Sequence, residues 1–149
     1  MTVDEITERV IGCCFRVHKA LGEGFLEKVY ENALMIELES HGLKALQQVP
    51  LSVSYEGRVV GEYLADILVE DRVVCELKAN QSLAREHEIQ LVNYLSAARR
   101  DVGLLINFGR SVTVRRKFRE YRNRQDSQNT FQKPATPAKP VNTANPPTP

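Results

Sequence analysis

YLADILVEDRVVCELKA, residues 63–79, decides how this chain is read. Two runs rich in β-branched and apolar residues flank Glu70-Asp71, a pair suited to a tight turn. The segment is therefore expected to form antiparallel strands, Val59 to Val69 and Arg72 to Ala79. Successive side chains of a strand point to opposite faces. On the later strand Val74, Glu76 and Lys78 share one face, and Val73, Cys75, Leu77 and Ala79 the other. On the earlier strand Glu62, Leu64, Asp66 and Leu68 form one face. Glu76 and Lys78 then stand about 6–7 Å apart along the strand. Pairing outward from the turn places Asp66 near Cys75 or Glu76. Two carboxylates and an ammonium thus converge in a strand pair that is otherwise apolar.

Outward from this hairpin, helix and strand periods alternate. Ile6, Val10, Cys13, Cys14, Val17 and Leu21 recur at steps of three and four, which predicts a helix over 4–20 capped by Asp4 or Thr2. Gly22-Glu23-Gly24 ends it. A second helix over 25–41 carries Leu26, Val29, Tyr30, Ala33, Leu34 and Leu38 and stops at His41-Gly42. Pro50 starts a strand, Leu51 to Tyr55, and Glu56-Gly57 makes a hairpin turn into the next. Downstream, residues 84–98 return to helical spacing through Ile89, Val92, Leu95 and Ala98. VGLLINF, Val102 to Phe108, is a continuous apolar run, the pattern of a strand buried on both faces. Val112, Val114 and Phe118 add a last strand or a short helix. The order α-α-β-β-β-α-β describes an α/β fold of the α+β kind: a central mixed sheet, a crossover helix and helices packed on the sheet.

One domain is expected over 1–124, followed by a disordered tail over 125–149 that holds all but one of the seven prolines. Residues 1–109 contain 11 Lys/Arg against 17 Asp/Glu, a net of −6, whereas residues 110–149 contain 9 against 2, a net of +7. An acidic pocket attracts divalent metal and a basic extension attracts phosphate backbone; a solvated tail gives the same numbers. Arg115, Arg116, Lys117, Arg119, Arg122 and Arg124, interleaved with Phe118 and Tyr121, read either as a grip on nucleic acid or as a solvated end. No window reaches the ~18 apolar residues of a membrane span. MTVDEITERV does not read as a secretory signal, and three cysteines suit reduced thiols, so a cytoplasmic location is expected. Cys13 and Cys14 on the apolar stripe, and Cys75, are expected in the core and match no zinc spacing. His18 and His41 are expected at the surface.

Buried without partners, each ion of the Asp66–Glu76–Lys78 trio would carry a penalty of several kcal/mol. A divalent cation relieves the carboxylate repulsion, and Mg²⁺ favours sites of one or two carboxylates completed by water and phosphate oxygens. Glu-x-Lys alone reads as an ordinary salt bridge on a wet sheet face; Asp66 at the matching place shifts the balance. Glu27 lies in the first turn of the second helix, a position that also suits the helix dipole. His87, Gln90 and Tyr94 are spaced to line one polar stripe of the crossover helix, which also describes a wet helix face.

In order, GFLEKVY (24–30), QVPLSVSYEG (48–57), YLADILVEDRVVCELKA (63–79), HEIQLVNYL (87–95) and VGLLINFG (102–109) resemble the GxxExxY proteins, a branch of the PD-(D/E)XK nuclease superfamily. The resemblance spans residues 5–118. It implies a restriction-endonuclease-like core and Mg²⁺- or Mn²⁺-dependent hydrolysis of DNA or RNA phosphodiesters. It implies Asp66 and Glu76 as metal-binding carboxylates, the Leu77 carbonyl as a further ligand and Lys78 as the catalytic lysine. Glu27 would be the accessory helix acid, and Gln90 would support the lysine or touch the phosphate backbone. Tyr94, Tyr30 and His87 would line the substrate. Ala65 stands where the superfamily has a proline. The acidic body leaves affinity for nucleic acid to the tail, a homodimer or a partner protein. The alternatives are a non-catalytic nucleic-acid- or partner-binding domain on the same fold, and a structural ion-pair cluster.

Overall fold

Helix α1, Val3–Leu21, begins where Thr2 and Glu5 cap each other: the Glu5 N–H donates to Thr2 Oγ1 at 3.1 Å, and the Thr2 N–H donates to Glu5 Oε1 at 2.6 Å. This computed structural model describes residues 1–120. The Pro-rich tail expected from residue 125, with Tyr121, Arg122 and Arg124, lies outside the described residues. Helix α2 spans Glu27–Ser40. Strands β1 (Ala45–Tyr55), β2 (Arg58–Val69) and β3 (Val73–Lys78) follow, then helix α3 (Arg85–Ala98) and strands β4 (Val102–Phe108) and β5 (Val112–Phe118). Val112–Phe118 therefore forms a strand rather than a short helix. The first strand begins at Ala45, five residues before Pro50.

The sheet order is β1-β2-β3-β4-β5, antiparallel except that β3 and β4 run parallel. Helix α3 makes the crossover that a parallel pair requires. Both expected turns form. Glu56 and Gly57 have φ of 52° and 76°, and Glu70 and Asp71 have 53° and 57°. Two successive positive values match the right-handed twist of the strands they join.

Helices α1 and α2 cover one face of the sheet. Ile6, Val10, Cys13, Cys14 and Val17 of α1 meet Tyr30, Leu34 and Leu38 of α2 over Ile67, Val73, Cys75, Leu77, Leu104 and Phe108. Each such large side chain contributes roughly 1.5–3 kcal/mol when fully buried. The other face holds a smaller cluster of Ala65, Leu68, Val74, Leu91, Leu95 and Leu105 beneath α3. Leu91 and Leu95 are the buried residues of α3, while Ile89, expected on its apolar stripe, is 51% exposed. Gly103 lets α3 settle on β4, because a Cβ there would lie 3.1 Å from Leu91. Every residue of β4 is buried, as its apolar run required. Among the described residues, no helix is long and apolar enough to cross a membrane.

Candidate functional site

The β2–β3 ladder stops short. It pairs Val69 with Val73, Leu68 with Val74 and Ile67 with Cys75, and goes no further. At the next step the Asp66 carboxylate replaces the main chain: its Oδ2 accepts the Leu77 N–H at 2.8 Å. The strands part there, and the acids stand where the sheet opens.

A second irregularity lies across from Asp66 on β1. Gln48 has φ of 52° and falls between the pairs Gln47–Ile67 and Val49–Ala65 without pairing itself. A positive φ is uncommon for a residue with a side chain, and here it resets the alternation. Leu68 packs under α3, and so do Ala65 and Tyr63, an odd number of residues away. The expected common face of Glu62, Leu64, Asp66 and Leu68 is therefore broken at Asp66, and Leu64 is left 50% exposed.

Gln48 uses its new position to join two acids. Its Nε2 donates to Asp66 Oδ1 at 3.3 Å and to Glu31 Oε2 at 3.2 Å. Glu31 is only 3% exposed, and also accepts from Gln47 Nε2 at 2.7 Å and Lys28 Nζ at 3.0 Å. The helix acid that reaches the site is thus Glu31. Glu27, the residue expected there, is exposed one turn earlier. The sequence carried a signal for Glu31: it is in step with Leu34 and Leu38, the buried stripe of α2.

Glu76 has a different partner. The hydroxyl of Tyr63 donates to its Oε1. The Tyr63 ring stacks on Tyr94 with centroids 3.7 Å apart and planes 7° from parallel. Tyr94 in turn accepts from Gln90 Nε2 at 3.5 Å. Tyr63 was not singled out from the sequence, since unbroken alternation turned it to the other face.

Electrostatics mark this wedge as short of positive charge. Burial, above all, raises the Asp66 carboxyl from its ordinary 3.8 to about 6; Glu31 adds to the rise, and the Leu77 N–H, Gln48 and Lys78 oppose it. Burial, then the charge of Asp66, pushes Glu76 well above the usual carboxylate range, against the pull of Lys78. None of the ion pairs among the described residues involves Lys78. Two repelling, partly desolvated carboxylates offer only oxygen donors, the set a hard divalent cation prefers.

The remaining expected residues divide. His87 stands close enough to Lys78 for its charge, after burial, to lower the imidazole pKa. Its ring is engaged locally, with Nδ1 accepting the Ala84 N–H at 3.4 Å where α3 begins. Tyr30 does not line the site. It is fully buried on the α1–α2 side, donates to the Gly22 carbonyl at 2.6 Å and stacks on Phe108 at 4.6 Å. A substrate cannot reach it, so its place in the motif is architectural.

Two other candidate regions are already satisfied. Alternation splits the basic run of β5: Arg115 and Lys117 meet Glu88 on α3, and Arg116 meets Asp4 on α1. Cys13, Glu37 and His41 bring ligand atoms within 4.8 Å of one another between α1 and α2. The Arg16 guanidinium fills that cluster, 3.4 Å from Glu37 and 3.7 Å from the Cys13 sulfur. Neither histidine expected at the surface is idle, for His18 Nε2 donates to the Gly109 carbonyl at 2.9 Å and His41 pairs with Glu37. All three cysteines are buried, as expected.

Comparison with known proteins bears on the family and the fold. A sequence profile described as the PD-(D/E)XK nuclease superfamily matches residues 4–120. Among solved structures, the fold is similar to that in the crystal structure of SSO0001, with a TM-score of 0.52 and 16% sequence identity. The likeness covers 69% of this chain and 55% of that one, so this chain spans little more than half that protein's length. At such identity the likeness carries the fold alone, which is the restriction-endonuclease-like mixed sheet with its flanking helices. No curated protein matches the sequence.

Proposed function

The chain belongs to the PD-(D/E)XK nuclease superfamily, and from that premise we propose that it is a metal-dependent nuclease hydrolysing DNA or RNA phosphodiesters. One observation carries the proposal: Asp66 and Glu76 converge, partly desolvated and mutually repelling, beside a lysine that no carboxylate among the described residues has claimed. A structural ion-pair cluster would have closed on Lys78.

Asp66 and Glu76 would hold Mg²⁺ or Mn²⁺, with the Leu77 carbonyl as a third oxygen. When bound, such a cation lowers the pKa of its water and neutralises charge on the phosphate. Lys78 stands two residues beyond Glu76 on β3, free to position the attacking water or to stabilise charge as the phosphate reacts. Glu31 takes the accessory role expected of Glu27, since it shares the Gln48 amide with Asp66. Gln90, Tyr94 and His87 stand on the helix that borders the opening, where they would meet the phosphate backbone.

We place the chain in the GxxExxY branch on the strength of GFLEKVY at 24–30, and take 1–124 as the catalytic unit and 125–149 as its tail. The net charge of −6 over residues 1–109 opposes binding of a polyanion. The basic C-terminal stretch, a second copy or a partner protein would have to supply affinity.

The test is cleavage of single- and double-stranded DNA and RNA with Mg²⁺ or Mn²⁺, comparing the natural chain with Lys78→Ala and Asp66→Ala. Metal-dependent cutting that both substitutions abolish, with circular dichroism unchanged, supports the nuclease. Cutting that survives both overturns the site. Binding without cutting makes the fold a nucleic-acid-binding domain.

A further inference from the structure

We infer that Tyr63 is a positioning residue that occupies one oxygen of Glu76 and so presents the other to the metal. The inference rests on the proposed function, for it concerns how Glu76 would serve there. It begins with geometry that alternation alone does not produce. Glu76 and Val74 lie on the α3 face, with Val74 in the cluster beneath that helix. Counted from Leu68, which also lies there, Tyr63 belongs on the opposite face. The positive φ of Gln48, and the missing pair between Gln48 and Asp66, turn the outer half of β2 over. Tyr63 then reaches Glu76 from the neighbouring strand.

Its hold on Glu76 has two supports. The main chain of Tyr63 is fixed by pairing with Leu51 on β1. The ring is fixed by its stack on Tyr94, 3.7 Å away and nearly parallel. A phenol can donate one hydrogen bond, and this one goes to Glu76 Oε1. The Asp66 main-chain N–H also bonds the Glu76 carboxylate, and the Tyr63 hydroxyl on Oε1 adds the second hold that keeps it from turning; a metal ligand that turns binds poorly. Groups that hydrogen-bond a ligating carboxylate set its orientation, and their loss weakens metal binding about 10–100-fold. The same strand irregularity therefore serves both acids: Gln48 steadies Asp66 directly, and Tyr63 steadies Glu76.

The experiment is calorimetric titration of the full chain with Mn²⁺, and separately Mg²⁺, for the natural protein, Tyr63→Phe and Tyr55→Phe. Tyr63→Phe keeps the ring and its stack and removes only the hydroxyl. Its metal Kd is expected to rise about tenfold, while Tyr55→Phe, at the far end of the hairpin, stays within twofold of the natural protein. In cleavage assays the metal concentration for half-maximal rate should rise by the same factor, with kcat recovered at saturating Mn²⁺. A merely structural tyrosine would instead lower the amount of active protein at every metal concentration. Equal Kd values for the natural protein and Tyr63→Phe overturn the inference and leave the nuclease reading intact. A natural protein that binds neither cation and cuts nothing overturns both. Should Tyr63→Phe fail to fold, Tyr94→Leu removes the ring that Tyr63 stacks on and keeps the Tyr63 hydroxyl. Its metal Kd must rise as well, and an unchanged Kd overturns the inference.

Discussion

The face of the sheet beneath α1 and α2 and the face beneath α3 are made of the same five strands. Beneath α1 and α2, the side chains of β2, β3 and β4 close into one apolar cluster, and even the tyrosine of the sequence motif is sealed into it. Beneath α3, six buried apolar residues form a short core that gives way to Tyr63, Asp66, Glu76 and Lys78. The first face is closed by apolar contact. The second leaves a ladder interrupted, a lysine with no ion pair among the described residues and two carboxylates holding protons above their ordinary range. One face keeps the strands in place, and the other spends that order on a site that is unfavourable by itself.

The largest expected effect should fall on one face only. Lys78→Ala is predicted to slow cleavage about 10³-fold, the scale of losing one preorganised charge partner in a reacting site. Its melting temperature should fall only slightly, because among the described residues Lys78 closes no ion pair and acts on Asp66 and Glu76 through its charge alone. A variant that melts early would show that the lysine stabilises the fold and would erase the contrast.

Next comes a matched pair of cavities. Leu104→Ala, beneath α1 and α2, is predicted to cost about 4 kcal/mol, and Leu95→Ala, beneath α3, about 2–3 kcal/mol. The smaller cluster borders an opening and can collapse more readily around a lost side chain. Urea unfolding measures both. Equal losses would mean that the α3 face is as tightly packed as its opposite.

The third effect has the opposite sign. In the metal-free protein the Asp66 carboxyl is raised from 3.8 to about 6. A raised acid favours the folded state while it is protonated. That contribution is complete below the unfolded value near 4 and is lost as pH rises through about 6. Asp66→Asn removes the penalty of charging a buried acid, so at pH 7.5 the metal-free variant should be more stable, by on the order of 1–3 kcal/mol. At pH 4 the two should melt together. Thermal melts across this range check the sign, and added Mg²⁺ should restore the natural protein but not the variant.

These contrasts explain which parts of the molecule could be read in advance. The apolar run of β4 and the stripes of α1 and α2 follow from burial, which leaves a period in the sequence. The turn residues Glu56-Gly57 and Glu70-Asp71 follow from the backbone they permit. That Asp66, Glu76 and Lys78 meet was legible because charges inside an apolar strand pair are rare. Gln48 was not, since nothing in a glutamine marks a positive φ, and the slip it causes hid Tyr63 from any count by twos. Tyr30 was misread because a motif shows which residues recur together, not whether they face solvent or core. Burial told them apart.

The smallest effect is expected where the reading of the sequence and the structure part most narrowly, one turn apart on α2. Glu31 is buried, bonded to Gln47, Gln48 and Lys28, and acts through Gln48 on Asp66. Glu27 is exposed at the start of the same helix. Glu31→Gln should weaken metal binding by about tenfold, as loss of a group supporting a ligating carboxylate does. Glu27→Gln should change neither metal affinity nor stability beyond about 0.5 kcal/mol, because a lone charge at a helix N-terminus contributes little more. Calorimetry on the two variants separates the acids. If Glu27→Gln proves the costlier, α2 must turn by about 40° and slide by about 6 Å to bring Glu27 to the place of Glu31 when metal and substrate bind. The open face would then be a resting state that the substrate closes.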